Sequence, residues 1–252
     1  MTDLFDLTGK TAIVTGASAG LGEGMAEALA RAGANIVGVA RTSCENVGKK
    51  VEAAGTGFLE VRADLASTEP LDRILSETLK AFGRVDILVN NAGMIRRADA
   101  LEFSEKDWDD VLNVNLKTLF FFSQKIANAF VHQGTGGKII NTASMLSYQG
   151  GVRTASYTSS KSGVTGLTRL MANEWAKYGI NVNAIAPGYM ITNNTKALRE
   201  DKARYEEILG RIPAGRWGTP EDLGGAVVFL ASRASDYIHG FTVAVDGGWL
   251  AR

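Results

Sequence analysis

Short apolar runs alternate with stretches of helical period along the whole chain, and no Pro-rich or Gly/Ser-rich linker interrupts them. This alternation restricts the fold more than any other feature. A strand followed by a helix returns to the sheet in the same direction, so the elements add up to a parallel sheet with helices on both faces. The runs at 12–14, 35–40, 57–62, 85–89, 138–141, 181–186 and 242–245 predict seven strands. Between them lie helices such as 71–82, where Leu71, Ile74, Leu75 and Leu79 keep one face. At 252 residues there is room for one large α/β domain, and residues 1–252 read as a single doubly wound unit.

The chain leaves its first strand through Thr15-Gly16-Ala17-Ser18-Ala19-Gly20-Leu21-Gly22 and enters a helix expected to run to Gly33. Glycines in that context let the backbone approach a pyrophosphate, and the helix start offers free N–H groups and a partial positive charge. The turn therefore predicts dinucleotide binding in a Rossmann-type sheet. The second strand ends Val39-Ala40-Arg41-Thr42-Ser43, with no acid to bind ribose hydroxyls and repel a 2′-phosphate. Arg41 can pair with that phosphate, and Thr42 and Ser43 can donate to it, so NADP is favoured over NAD. Asp64 and Leu65 follow the third strand, where Asp64 is either a cap or a partner for the adenine amine. Asn90-Asn91-Ala92-Gly93 follows the fourth, where it either lines an adenosine pocket or makes an ordinary turn.

Residues 141–161 carry the candidate chemistry. Tyr157 and Lys161 are four apart, one turn apart on one helix face, and Ser144 sits where a buried strand gives out into a loop. A phenol titrates near pH 10, and lowering it by about three units takes roughly 4 kcal/mol of phenolate stabilisation. One ammonium at about 4 Å, at an effective dielectric of about 20, supplies that much. Lys161 is thus expected to bring Tyr157 into the working range for proton transfer, with Ser144 holding the substrate oxygen. On the helix from about Glu105, the stripe Trp108, Val111, Leu112, Leu119, Phe122 and Ile126 is interrupted on its buried side by Asn115. That amide either bonds a neighbouring carbonyl and kinks the helix or relays through a water to Lys161.

Lysine plus arginine equals aspartate plus glutamate at 27 each, which argues against nucleic-acid or membrane binding by bulk charge. Hydrophobic residues at 45% point to a packed core rather than disorder. Cys44 is the single cysteine, and with His132 and His239 the only histidines, neither a disulfide nor a metal cluster is expected. The acidic N-terminus lacks the features of a secretory signal and no run approaches a membrane span, so a cytoplasmic location is expected.

The turn at 15–22, Asn90 to Gly93, Asn115, Ser144, Tyr157-x-x-x-Lys161 and Pro187-Gly188 occur in the order and spacing of the classical short-chain dehydrogenase/reductase family, which the chain resembles over essentially its whole length. The resemblance implies that Tyr157 is the acid/base, Lys161 lowers its pKa and binds the nicotinamide ribose, Ser144 orients the substrate, and Asn115 completes a proton relay. It also implies cofactor contacts from Asn91, Ala92, Gly93, Pro187 and Gly188, with Thr192 at the nicotinamide carboxamide, and a substrate loop near 189–216. Loops at 95–108, 143–151, 168–177, 187–195, 211–218 and 246–252 are similar to those of the 2-dehydro-3-deoxy-D-gluconate 5-dehydrogenases, also called 2-deoxy-D-gluconate 3-dehydrogenases, enzymes of uronic-acid breakdown. A reductase of acyl chains or of unsaturated uronates stands as the alternative, and a silent nucleotide-sensing scaffold as the alternative of another class.

A sugar acid needs cations and amides around the catalytic pair. Gln149 and Arg153 lie between Ser144 and Tyr157, Arg96 and Arg97 follow the fourth strand, and Asn193 lies beyond Pro187. Arg153, just before the catalytic helix, is the first choice for the carboxylate. The apolar stretch 247–252 either meets a neighbouring subunit or folds onto its own, and the family resemblance implies a homotetramer.

Overall fold

The structure is a computed structural model that describes residues 2–252, so Met1 of the expected unit lies outside the described residues. Its strands are β1 (Thr11–Thr15), β2 (Asn35–Ala40), β3 (Phe58–Arg62), β4 (Ile87–Asn90), β5 (Gly137–Thr142), β6 (Ile180–Pro187) and β7 (Thr242–Val245). The helices are α1 (Gly20–Arg31), α2 (Glu45–Ala53), α3 (Leu71–Phe82), α4 (Glu105–Leu112), α5 (Leu119–Gln133), α6 (Ala155–Trp175), α7 (Lys196–Glu200), α8 (Lys202–Arg211) and α9 (Gly224–Ala231). All the strands pair in parallel in one sheet, ordered β3-β2-β1-β4-β5-β6-β7.

Two apolar layers hold the sheet between its helices. Leu29 of α1, Val47 of α2 and Leu230 of α9 pack on one face, and Ile74 of α3, Phe122 of α5 and Met171 of α6 on the other. β1 serves both: Ala12 and Val14 point into the first layer and Ile13 into the second, as strand alternation requires. The strand order reverses between β1 and β4, and the ends of β1, β4, β5 and β6 open on that side of the sheet, where ligands bind in such folds.

The expected elements are present with shifted edges. β4 begins at Ile87 rather than Val85, whose N–H goes to the Gln133 side chain at 3.0 Å. The helix after the glycine turn ends at Arg31, two residues before Gly33. The helix from Glu105 is not continuous: a π-turn at Asn113–Thr118 separates α4 from α5, and Trp108 is 40% exposed instead of joining the buried stripe. The region 189–216 is not a bare loop, since it carries α7 and α8. The stretch 247–252 folds onto its own chain, with Trp249 buried against Ile212 and Trp217. Among the described residues no helix is long and apolar enough to cross a membrane, and no group of side chains is arranged to hold a metal ion.

Candidate active site

The turn after β1 is shaped as a cradle. Gly16 and Gly20 hold φ of +65° and +60°, and a Cβ on Gly22 would stand 2.2 Å from the Gly16 carbonyl oxygen. Ala19 enters α1 in extended backbone, leaving the first amides of the helix free of a side-chain cap. Beside the turn lies a cleft of about 320 Å³ walled by Gly16, Ser18, Arg41, Thr42, Asp64 and Leu65, with Ala92 and Gly93 across from them. Thr42 Oγ1 donates to Ser18 Oγ at 3.0 Å, joining the two strand ends. Residue types and shape both suit a dinucleotide, with its phosphates at the turn and its adenosine in the cleft.

A second cavity, of about 370 Å³, begins at Leu21 and Thr192 and runs over Ser144 and Tyr157. Ser144 closes β5 in extended backbone and is buried, its Oγ accepting from Leu146 N at 3.1 Å. Tyr157 is half-buried on the first turns of α6. Lys161 is one turn further and 4% exposed, donating to the Thr142 carbonyl at 2.5 Å. Asn115 projects from the π-turn, a geometry common at functional sites. Its Oδ1 accepts from Met94 N at 2.9 Å, and its Nδ2 donates to Met94 O at 3.0 Å and to Ser160 Oγ at 3.1 Å. Ser160 Oγ in turn donates to Tyr157 O at 2.8 Å, so Asn115 ties the end of the β4 loop to α6. A Cβ on Gly93 would crowd Asn115 Oδ1 at 3.3 Å and lie in ordinary contact with Lys161 Nζ at 3.8 Å. This arrangement can pass a proton to or from an oxygen held between Ser144 and Tyr157.

Residues 16–250 match the family described as Enoyl-(Acyl carrier protein) reductase. The chain is 62% identical to the 2-dehydro-3-deoxy-D-gluconate 5-dehydrogenase of Escherichia coli K12 over 248 residues, 98% of each chain. It is 52% identical to the enzyme of the same name from Bacillus subtilis 168 over 251 residues, 99% of this chain and 98% of the other. Among solved structures it resembles a gluconate 5-dehydrogenase from Burkholderia cenocepacia in complex with NADP and tartrate, at 38% identity and a TM-score of 0.94 over 100% and 99% of the two chains. The chain belongs to the short-chain dehydrogenase/reductase family. As a member it is an oxidoreductase acting on a CH–OH group.

Electrostatics in this short-chain dehydrogenase differ from the expectation for the lysine. Burial pushes the Tyr157 phenol above its ordinary pKa, while the Ser144 hydroxyl and the Arg97 guanidinium pull it back. Lys161 Nζ lies 5.8 Å from the Tyr157 ring centroid and donates to the Thr142 carbonyl, and the Arg97 guanidinium is a further positive charge that favours the phenolate. Burial also draws the Lys161 ammonium down to about 8.

Several expected contacts go elsewhere. Arg153 is exposed, with φ of 61°, pairs with Asp99 at 3.4 Å and does not line the cavity over Ser144 and Tyr157, although Val152 and Thr154 on either side do. Arg96 pairs with Asp107 and Asp110 and borders the adenosine cleft instead. Asn193 is exposed, and the neighbouring Asn194 lines the cavity. Ser43 donates to Glu60, whose other oxygen pairs with Arg62, so this carboxylate is already neutralised near the end of β2. The Asn91 amide bonds the Thr15 and Gly16 carbonyls at 2.9 and 3.3 Å, which makes it a brace for the turn. Asp64 caps no helix, since the next one starts at Leu71; its carboxylate accepts from Ala66 N in a turn and faces the cleft. Gln149, Pro187, Gly188 and Thr192 line the catalytic cavity. Residues unforeseen there are Arg204, Glu207 and Arg211 of α8 and Trp249. The substrate loop expected near 189–216 covers α8 without singling out these side chains, because which of them turn to the cavity depends on the helix that forms there.

Proposed function

We propose that the protein moves a hydride between NADP(H) and a keto or hydroxy sugar acid of the 2-dehydro-3-deoxy-D-gluconate type, in the breakdown of uronic acids. One observation carries this reading: Arg97 lines the cavity of Ser144 and Tyr157 and has no carboxylate partner among the described residues. An unpaired guanidinium beside the proton-transfer pair is a site for a substrate carboxylate. Support comes from the relatives named for 2-dehydro-3-deoxy-D-gluconate and from the Burkholderia neighbour, which holds NADP and the small hydroxy acid tartrate. For the cofactor, Arg41 has no ion pair among the described residues and stands with Thr42 and Ser18 at the cleft, a set suited to a 2′-phosphate.

Bound in the two cavities, the nicotinamide nucleotide supplies or accepts the hydride. The chain's own work is positioning and proton transfer. Arg97 holds the carboxylate, Ser144 and Tyr157 bracket the reacting oxygen, and Tyr157 gives that oxygen its proton on reduction or takes it on oxidation. Lys161 holds the ribose side of the nucleotide with its remaining donors, and Asn115 fixes the backbone at Met94 and the start of α6.

A panel of keto sugar acids and acetoacetyl esters, followed at the absorbance of the reduced nicotinamide, tests the reading. Turnover of the sugar acids, with NADPH preferred over NADH and the preference lost in Arg41→Ala, is the expected result. Activity confined to the acyl esters would overturn it, and so would parental turnover by a Tyr157→Phe variant that still binds nucleotide, which would also restore the scaffold reading.

A further inference from the structure

The stretch from Asp246 onward forms part of the wall of the catalytic cavity through Trp249. Trp249 Nε1 donates to Gln149 Oε1 at 3.2 Å, across 100 residues of sequence. An indole N–H can only donate, so the amide oxygen must be the end that faces it. That decides where the other end points: Gln149 lines the cavity with Ser144 and Tyr157, and its NH2 group has no acceptor among the described residues.

The indole cannot easily turn aside. It is 4% exposed, Tyr189 packs edge-on at 4.8 Å between centroids, and the Arg211 guanidinium covers its face at 4.2 Å. Its backbone is tied down as well. Asp246 accepts from Gly248 N at 2.9 Å and from Leu250 N at 2.8 Å, Ala214 N donates to Gly247 O at 2.9 Å, and Arg252 donates to Gly210 O at 3.1 Å. The neighbour that anchors the ring, α8, is also the element that brings Arg204 and Arg211 to the cavity.

We propose that Trp249 is a positioning residue that fixes the Gln149 amide, so that Gln149 presents a pre-oriented N–H donor to a hydroxyl or carboxylate oxygen of the substrate. The substrate half of this rests on the function proposed above. Without the indole N–H the amide is free to offer either end, and the donor is no longer pre-set.

Two measurements on the full chain test it. In 15N-labelled protein the Trp249 indole signal, among the four tryptophans, is identified by its loss in Trp249→Phe. Gln149→Ala should shift that signal and hasten its solvent exchange while the other three stay in place. An unmoved signal would overturn the hydrogen bond. In steady-state assays Trp249→Phe and Gln149→Ala should each raise KM for the sugar acid by roughly 5- to 30-fold. The two losses should not add in the double variant, and NADPH affinity should hold. Gln149→Glu keeps an acceptor for the indole but no donor for the substrate. It should retain the thermal midpoint and lose affinity for the acid. Additive losses, an unchanged KM in Trp249→Phe, or retained affinity in Gln149→Glu would each sink the proposal. If the parent enzyme turns over no sugar acid, the function proposed above falls, and the indole signal still decides the amide's orientation.

Discussion

Lys161 is the residue whose behaviour most depends on where the fold puts it. Its ammonium, drawn down to about 8 by burial, is present below that pH and lost above it. If it holds the nicotinamide ribose, NADPH affinity should weaken as pH rises through about 8, and a Lys161→Met variant should bind weakly with no such inflection; nucleotide fluorescence titrations would show either outcome. The linkage has the matching sign: an unfolded lysine titrates near 10.4, so between about 8 and 10.4 the unfolded chain binds more protons and this group's cost to stability shrinks as pH rises. At the same scale, Arg97→Ala should raise KM for the acid by about 10- to 100-fold, since a hydrogen bond to a charged group is worth about 1.5–3 kcal/mol. Arg153→Ala should leave KM near the parent's, because its exposed pair with Asp99 lies outside the cavity. The Tyr157 and Lys161 pair was legible in the sequence because its geometry is local, one helical turn. Which arginine stays unpaired at the cavity was not, because it depends on where Asp99, Asp107 and Asp110 come to lie after folding.

Among the elements, the inner strands could be read from their apolar runs because the sheet buries them on both sides, the half-buried edge strands β3 and β7 from shorter runs, and the 71–82 helix from its period. The break between α4 and α5 could not be placed. Of the two alternatives weighed for Asn115, one foresaw a kink from a bond to a neighbouring carbonyl, but its side chain spans to Met94, 21 residues back, and holds that backbone at both N and O. Asn115→Leu should cost about 1–3 kcal/mol by leaving those two groups without partners, and should loosen nucleotide binding together with stability; a chemical denaturation midpoint equal to the parent's would refute it. The return from α8 is latched by Arg216 and Asp222, paired twofold at 2.7 and 2.7 Å. That pairing holds the Asp222 carboxyl at about 2, below its unfolded value, so its contribution is present above pH about 4 and lost as pH falls toward 2. Asp222→Asn should therefore cost on the order of 1 kcal/mol near neutrality, discounted for partial exposure, and close to nothing at pH about 2. Equal destabilisation at both pH values would count against the latch.

For the whole molecule, Trp249 and Leu250 of the 247–252 stretch pack on their own chain, as one of the two alternatives had it, while Ala251 and Arg252 stay exposed. Apolar side chains do remain on the helices that flank the site: Trp108, Phe121 and Leu170 on α4, α5 and α6 are 40%, 42% and 45% exposed. We propose that these helices pair between subunits of a homotetramer. Sedimentation at working concentration should show four subunits, and Phe121→Glu should shift the protein toward smaller species; a monomeric parent would end the idea. The cavity itself stands on two foundations. Its floor of Ser144, Tyr157 and Lys161 rests on the sheet and α6, while its outer wall rests on a separate apolar cluster of Met145, Ile208, Ile212, Trp217 and Trp249. Units of local opening tend to follow such clusters. Amides of α8 should then exchange with solvent well before those of β5 under native conditions. For a lineage of such enzymes, that division lets substitutions in the wall change which acid is admitted while drawing only on the stability of the smaller cluster, and the proton-transfer floor descends unaltered.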